Sequence, residues 1–145
     1  MKVRFLPADA EDAERIFTLN QKHVAFYEDL SQIQYDRVMT WIRQKIVRNL
    51  KRYCCIWADD AKAGYYLMLE EDDRWELNDL YLYEAYQGRG IGMQVIQECL
   101  ALAGEKELRL YVFEKNVGAI RFYERLGFEK AVRLPGRLIM VHKMG

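Results

Sequence analysis

The chain is poor in cysteine and proline. Its 145 residues include three Cys and two Pro. Cys54 and Cys55 are adjacent and Cys99 stands alone, so the spacing offers no disulfide framework and favours a reducing compartment. A chain of this length buries roughly 68–70% of the surface that its unfolded form exposes, so its stability requires neither a disulfide nor a structural metal. We therefore expect a single soluble domain over residues 1–145.

Two further absences exclude classes of partner. The 22 basic residues balance 22 acidic ones, which excludes a globally basic nucleic-acid binder and an acidic tail protein. No apolar run approaches the length of about 20 residues that spans a membrane, and charges interrupt residues 1–9 before a secretory core could form. We expect no nucleic-acid partner, no membrane segment and a cytoplasmic location.

Histidine is equally scarce, and its placement argues against a metal. His23 and His142 stand apart from each other, without the carboxylate or thiol spacing of a metal site. Cys99 shares an apolar helical stripe with Val95 and Ile96, which favours burial over nucleophilic chemistry. We expect no bound metal.

The apolar periodicity predicts a mixed α/β domain. A short strand at residues 3–6 precedes a helix capped by Asp9, and a second helix runs from Ser31 or Asp36 to Arg52. Three strand-like runs with short polar connections then indicate an antiparallel meander. The predicted meander strands are residues 53–58, 63–69 and 74–83.

The second half of the chain alternates helices with strands. A glycine-rich stretch opens a helix that Gly104 can stop, and residues 108–113 form the next strand. Asn116 caps a helix ending near Gly127, and two last strands flank residues 135–136. The connection around the glycine-rich helix is long enough to join parallel neighbouring strands.

Residues 87–92 read Gln-Gly-Arg-Gly-Ile-Gly and connect a strand end to a helix start. Unpaired backbone amides and the helix dipole converge there, which predicts an anion site beside the positive charge of Arg89. The Walker A pattern fails because no Gly-Lys-Ser or Gly-Lys-Thr follows, and the dinucleotide fingerprint fails because Met93 stands where its third glycine belongs. A plain tight turn before a helix remains an alternative.

Four segments together resemble the GNAT superfamily of acyl-CoA-dependent N-acyltransferases. They are residues 80–82 (LYL), 87–92 (QGRGIG), 110–112 (LYV) and 116–128 (NVGAIRFYERLGF). The resemblance implies one GNAT-like domain, with a mostly antiparallel twisted sheet, a parallel central pair and helices on both faces. It implies transfer of an acetyl group from acetyl-CoA to a primary amine by direct attack in a ternary complex.

The resemblance also assigns cofactor-binding residues. In this family, loop amides bind the coenzyme A pyrophosphate, and the main chain of the preceding strand holds the pantetheine arm and the acyl carbonyl. Asn116 matches an asparagine that contacts pantetheine, although Asn is also a preferred helix cap. The implied cofactor-binding residues are Leu80, Tyr81, Leu82, Gln87, Gly88, Arg89, Gly90, Ile91, Gly92, Met93, Asn116 and Tyr123.

Acyl transfer to an amine requires a proton acceptor and a donor for the leaving thiolate. Tyr123 matches the family's tyrosine near the thioester sulfur, although its helical stripe would also suit a core tyrosine. Glu76 is the leading base, with Asp79 as rival and a water relay as a third alternative. Three residues of separation place Glu76 and Asp79 on opposite strand faces, unless a β-bulge changes the parity.

The acceptor is left open between a small molecule and a protein, and the oligomeric state between monomer and homodimer. Tyr81, Tyr83 and Tyr86 could line an acceptor pocket or simply pack in the sheet. Residues 37–52 carry six basic side chains and no acid, whereas residues 59–84 carry nine acids against two basic residues. These segments are either solvated faces or a field that steers a cationic amine toward Glu76. The alternative function is a non-catalytic acyl-CoA-binding sensor or interaction module.

Overall fold

The computed structural model describes residues 1–28 and 34–143. Within them, seven strands form one sheet in the order β1-β2-β3-β4-β5-β7-β6. The strands are β1 Val3–Pro7, β2 Tyr53–Ala58, β3 Ala61–Glu70, β4 Arg74–Leu82, β5 Glu107–Phe113, β6 Glu129–Leu134 and β7 Arg137–His142. The helices are α1 Ala13–Tyr27, α2 Tyr35–Asn49, α3 Ile91–Ala103 and α4 Val117–Arg125, with short 3-10 turns at Ala10–Asp12, Leu50–Arg52 and Glu84–Tyr86.

The helices cover both faces of the sheet, as the sequence predicts. One core packs α3 and α4 against the sheet, and the other packs α1 and α2 against the opposite face. Adjacent strand residues divide between the two cores because side chains alternate along a strand. Cys54 therefore packs with the α3 side and Cys55 with the α1 and α2 side.

The central strands β4 and β5 are parallel but pair over only part of their length. Their register runs from Arg74 opposite Glu107 to Leu77 opposite Leu110. Within the described chain the two strands have no pairing beyond Leu77, although β4 continues to Leu82. The strands thus separate toward their carboxyl ends and leave an opening between them, which we call the splay.

A β-bulge lies at the point where the splay begins. Leu77 pairs with Met68 and Asp79 pairs with Leu67, so Asn78 has no partner on β3. The extra residue changes the side-chain parity of β4. Glu76 and Asp79 consequently face the same cavity, which is the bulged arrangement that the sequence left as an alternative.

The predicted helix and strand order is confirmed, with small shifts of bounds. Helix α2 begins at Tyr35 after Gln34, close to the predicted start at Asp36. The alternative start at Ser31 lies outside the described residues. No helix within residues 1–28 and 34–143 combines the length and apolar character needed to cross a membrane.

Candidate functional site

A cavity of about 610 Å³ opens between the splay and the two helices above it. One wall is the bulged part of β4, and the facing wall comes from the ends of β5 and β7. Helices α1 and α2 form the roof. The polar and charged residues of the lining are Asn20, His23, Glu28, Lys45, Glu76, Asn78, Asp79 and Arg137.

A buried hydrogen-bond network surrounds Asp79 at the inner end of this cavity. The ammonium of Lys45 lies 3.0 Å from Asp79 Oδ1, and the Tyr81 hydroxyl donates to the same oxygen at 3.3 Å. Tyr53 donates to Asp79 Oδ2. Burial and the Asp79 carboxylate raise the pKa of both Tyr53 and Tyr81, so these hydroxyls stay protonated. Both Asp79 oxygens are therefore occupied by internal partners.

The same lysine orients the bulged asparagine. Lys45 Nζ donates to Asn78 Oδ1 at 3.0 Å, and Asn78 Nδ2 donates to a carboxylate oxygen of Glu76. Because the lysine can only donate, it requires the amide oxygen of Asn78 on its side. The amide nitrogen must then face Glu76, whose oxygen accepts. The two hydrogen bonds from Lys45 through Asn78 therefore run donor to acceptor toward Glu76.

His23 lies in the roof of the cavity, although it belongs to no metal-binding pattern. Its ring meets Tyr81 edge-on at 5.1 Å and contacts Phe113 at 5.3 Å between centroids. Burial lowers the pKa of His23 below its ordinary value, with Asp79 acting weakly in the other direction. The imidazole is therefore neutral at physiological pH.

The glycine loop lies at the carboxyl end of β4. Gly88 and Gly90 have φ values of 71° and 82°, and a Cβ at either position would meet nothing within 4 Å. Apart from any bonds within α3 itself, the amides of residues 88–93 make no backbone hydrogen bond to the flanking loop or strands in the described chain. These free N–H groups and the start of α3 at Ile91 leave an exposed donor surface suited to an anion. The Arg89 guanidinium lies 5.8 Å from the ring centre of Tyr86.

The backbone of β4 turns alternate residues toward the splay. Tyr83 N donates to Ala63 O at 2.8 Å, so the main chain of Tyr83 faces β3. By strand alternation, the main-chain groups of Leu80 and Leu82 face the opposite edge, where β5 has diverged. The Gln87 side chain donates to the Leu82 carbonyl at 3.0 Å, which agrees with this direction.

Helix α4 brings the two residues of the second motif to the other side of the splay. Asn116 caps the helix, because its Oδ1 accepts from Ala119 N at 3.2 Å. Tyr123 packs into the core of the α3 side, edge-on to Phe128 at 5.6 Å. Burial raises the pKa of Tyr123, and its hydroxyl makes no hydrogen bond within the described chain. Gly92 allows close packing here, since a Cβ would lie 3.3 Å from the Phe122 ring.

The three clustered tyrosines separate in the fold. Tyr81 lines the cavity, whereas Tyr83 packs edge-on to Tyr65 and Tyr86 lies beneath Arg89. Neither Tyr83 nor Tyr86 belongs to the cavity lining, so Tyr81 is the one member of this cluster that borders the cavity. Sequence reasoning missed several residues that only the fold brings together. They are Trp41, Lys45, Tyr111, Phe113 and Arg137.

Four of the nine acidic residues in the segment 59–84 form ion pairs within the described chain. Lys45 pairs with Asp79, Lys106 with Glu70, and Arg74 with both Glu71 and Asp73. This pairing weakens the electrostatic field that could steer a cation. Two carboxylates of the segment line the cavity, and Glu76, unlike Asp79, has no basic partner in the described chain. Among residues 1–28 and 34–143, no three His, Cys, Asp or Glu side chains gather where they could hold a metal ion.

The sequence and the fold both match known proteins. The family model described as acetyltransferase (GNAT) family matches residues 11–128. The chain therefore belongs to the acetyltransferase (GNAT) family.

Curated relatives share parts of the sequence. Mycothiol acetyltransferase of Corynebacterium efficiens is 30% identical over 111 residues, which are 72% of this chain and 35% of that protein. Spermine/spermidine N(1)-acetyltransferase of Bacillus subtilis is 32% identical over 77 residues, which are 48% of this chain and 50% of that protein. The chain thus spans about a third to a half of the length of these relatives.

Solved structures match the whole fold at lower identity. The PaiA N-acetyltransferase from Thermoplasma acidophilum, in complex with coenzyme A, superposes with a TM-score of 0.79 at 21% identity, covering 99% of this chain and all of that one. The ribosomal-protein-S18-alanine N-acetyltransferase from Escherichia coli gives a TM-score of 0.72 at 19% identity, over 99% and 96% of the two chains. These likenesses establish the fold.

Proposed function

We propose that this protein is an acetyl-CoA-dependent N-acetyltransferase that acts on a primary amine of a small molecule or a protein. The carrying observation is the splay itself. It has free backbone donors for an anion at one end, and it opens into a cavity containing a carboxylate at the other. A cosubstrate bound along the splay would bring its thioester to the cavity, where an amine could attack.

The residues of this chain fit coenzyme A at two places. The free amides of residues 88–93 suit the pyrophosphate, because donors at a helix N-terminus favour anions. The main-chain groups of Leu80 and Leu82 face the unpaired edge of β4 and suit the amide groups of the pantetheine arm. Acetyl-CoA supplies the activated acetyl group. Asn116 retains a side-chain nitrogen for the arm while its oxygen caps α4.

Glu76 is the proposed proton acceptor for the incoming ammonium. Only about one alkylamine in a few thousand is neutral at pH 7, so the site must remove a proton. Asn78 donates to Glu76 and so holds it as an acceptor. Asp79 is the weaker candidate, because Lys45, Tyr53 and Tyr81 already occupy its oxygens.

Tyr123 is the proposed donor to the departing sulfur. Its raised pKa keeps the hydroxyl protonated, and the hydroxyl has no partner in the described chain. A thiol has an ordinary pKa of about 8.5, well below that of a buried tyrosine. Tyr123 would therefore stabilise a thiolate by donating a hydrogen bond to it.

The proposal also covers the kind of acceptor, the cellular location and the oligomeric state. Relatives named for mycothiol and for spermine/spermidine act on small molecules, whereas a structural neighbour is named for a ribosomal protein. Both kinds of acceptor therefore stay within the proposal. The three free cysteines, two of them buried, suit a reducing cytoplasm. A monomer or a homodimer would suit a domain of this size.

Calorimetry and a thiol-release assay test the proposal together. We expect acetyl-CoA to bind below millimolar concentration, and free thiol to appear when a panel of amines and peptides is added. Absence of acetyl-CoA binding would contradict the proposal outright. Binding without turnover on any amine would instead favour the sensor or interaction module.

A further inference from the structure

The residues that line the cavity indicate which other chemical groups the acceptor carries besides its amine. Building on the proposed function, we infer that the acceptor carries a carboxylate next to an apolar or aromatic body, and that Arg137 binds this carboxylate. The inference rests on the charges and ring surfaces that line the cavity.

Five charged residues of the described chain line the cavity, and two of them form an ion pair. Lys45 and Asp79 neutralise one another at 3.0 Å. Glu76 accepts from Asn78 and faces the site of the amine. Glu28 directly follows α1 as its C-cap and is half-buried. Arg137 is then the cation of the described lining that has no carboxylate within salt-bridge distance in the described chain.

Arg137 lies at the solvent-exposed edge of the cavity. It is the first residue of β7 and pairs with Phe113 at the end of β5. Its guanidinium lies 5.6 Å from the ring centre of Tyr111, which is two residues earlier on β5. A guanidinium beside an aromatic ring keeps N–H groups available for a bidentate carboxylate. Arg133, by contrast, is paired with Glu114.

The remaining walls are apolar and mainly aromatic. The neutral ring of His23 belongs to this surface because its pKa is lowered by burial. Such walls favour a flat or aliphatic body over a flexible polycation, which would also meet the guanidinium of Arg137. The ring-bearing residues of the lining are His23, Trp41, Tyr81, Tyr111 and Phe113.

The spacing along β5 limits the length of the acceptor. Glu76 lies beside Arg109, and Arg137 lies beside Phe113. Four residues of strand correspond to about 13 Å, and the two residues lie on opposite sides of β5, which adds about 10 Å across the sheet. The amine and carboxylate of a dipeptide are further apart than those of a single amino acid, so a peptide-sized acceptor fits this spacing better.

Matched substrate pairs test the inference. Thiol release is measured for L-phenylalanine against phenethylamine, for glycyl-phenylalanine against its C-terminal amide, and for spermidine. We expect the carboxylate-bearing member of at least one pair to have about tenfold higher kcat/KM, which is the size of one charge-assisted contact. In Arg137→Gln the preference should disappear through a higher KM with little change in kcat. Arg133→Gln is the matched control and should keep the preference.

Other results would overturn the inference. Equal kcat/KM within both pairs would do so, as would spermidine as the best acceptor with improved turnover in Arg137→Gln. If no amine releases thiol, the proposed function fails, and binding of N-acetyl-L-phenylalanine by calorimetry still decides the role of Arg137. Weaker binding in Arg137→Gln than in the wild type would support that role, whereas equal or absent binding to both would exclude it.

Discussion

The ammonium of Lys45 on α2 and the carboxylate of Asp79 on β4 form a buried ion pair 3.0 Å apart. Lys45 also donates to Asn78, which lies on the bulge between Glu76 and Asp79. Lys45 thus links α2 to β4, the strand that borders the cavity. Its loss would leave a carboxylate buried without its cation, which is costly in a protein interior.

Lys45→Met should therefore destabilise the fold by about 3–5 kcal/mol. Urea unfolding followed by circular dichroism measures this change. Lys51→Met is the matched control, because Lys51 is exposed and should change stability by less than about 0.5 kcal/mol. The double variant Lys45→Met/Asp79→Asn removes both charges and should be more stable than Lys45→Met alone. Equal stabilities of the single and double variants would argue against the pair.

Glu76→Gln should lower kcat by about 100-fold, which is the low end of general-base effects. The amide keeps the shape of the side chain but cannot take a proton from the substrate ammonium. Steady-state thiol release with a neutral-pH buffer measures the effect. Glu105→Gln, at an exposed position after α3, is the control. A loss of less than threefold in Glu76→Gln would favour a water relay.

Tyr123→Phe should lower kcat by about 10- to 100-fold while leaving the KM for acetyl-CoA nearly unchanged. The phenyl ring retains the packing against Phe128 and loses only the hydroxyl. Tyr66→Phe, in the same core, is the control for burial effects. Because burial raises the pKa of Tyr123, its ionisation should produce no fall in kcat as pH rises toward 10. Unchanged kcat in Tyr123→Phe would remove this residue from the mechanism.

Gly90→Ala should weaken coenzyme A binding, because φ of 82° strains an alanine by roughly 1–2 kcal/mol. Relief of that strain would rotate the amides at the start of α3 away from the anion. Gly136→Ala is a matched control, since Gly136 has φ of 76° and no neighbour within 4 Å of an added Cβ. Both variants should lose similar stability by thermal denaturation. Only Gly90→Ala should lose affinity in a coenzyme A titration.

Asp12 should make stability depend on pH in the acid range. Burial opposes its ionisation, but hydrogen bonds from Lys62 at 2.7 Å and Tyr65 at 2.6 Å outweigh this and lower its pKa to about 2. A carboxyl whose pKa falls on folding stabilises the fold above its ordinary pKa of 3.8. This contribution, on the order of 2 kcal/mol, is lost as pH falls from about 4 to about 2.

Asp12→Asn tests this expectation. The variant should be less stable than the wild type at pH 6, and the difference should shrink toward pH 2. Asp60→Asn, at an exposed turn, provides the control and should track the wild type throughout. A difference that stays constant with pH would mean that Asp12 acts through packing rather than through its charge.

Much of the fold was predictable because local patterns dictate it. The helical stripes, the alternating strands and the glycine turn all depend on near neighbours in sequence, and the structure follows them. The opposite orientations of Cys54 and Cys55 also follow from strand geometry alone. The regular alternation of side chains along β4 is broken at the bulge. Whether Asn78 pairs depends on its partner strand β3 and not on its neighbours in sequence.

Some features of the candidate site could likewise be predicted from local sequence, whereas others could not. The sequence by itself determined the glycine loop, the cap at Asn116 and the family, because these depend on residues that are adjacent or regularly spaced. Only the tertiary structure decided that Glu76 and Asp79 share a cavity, that Lys45 neutralises Asp79, and that Arg137 lines the same cavity. These relationships join residues far apart in the chain, and packing of α2, β4 and β7 brings them together.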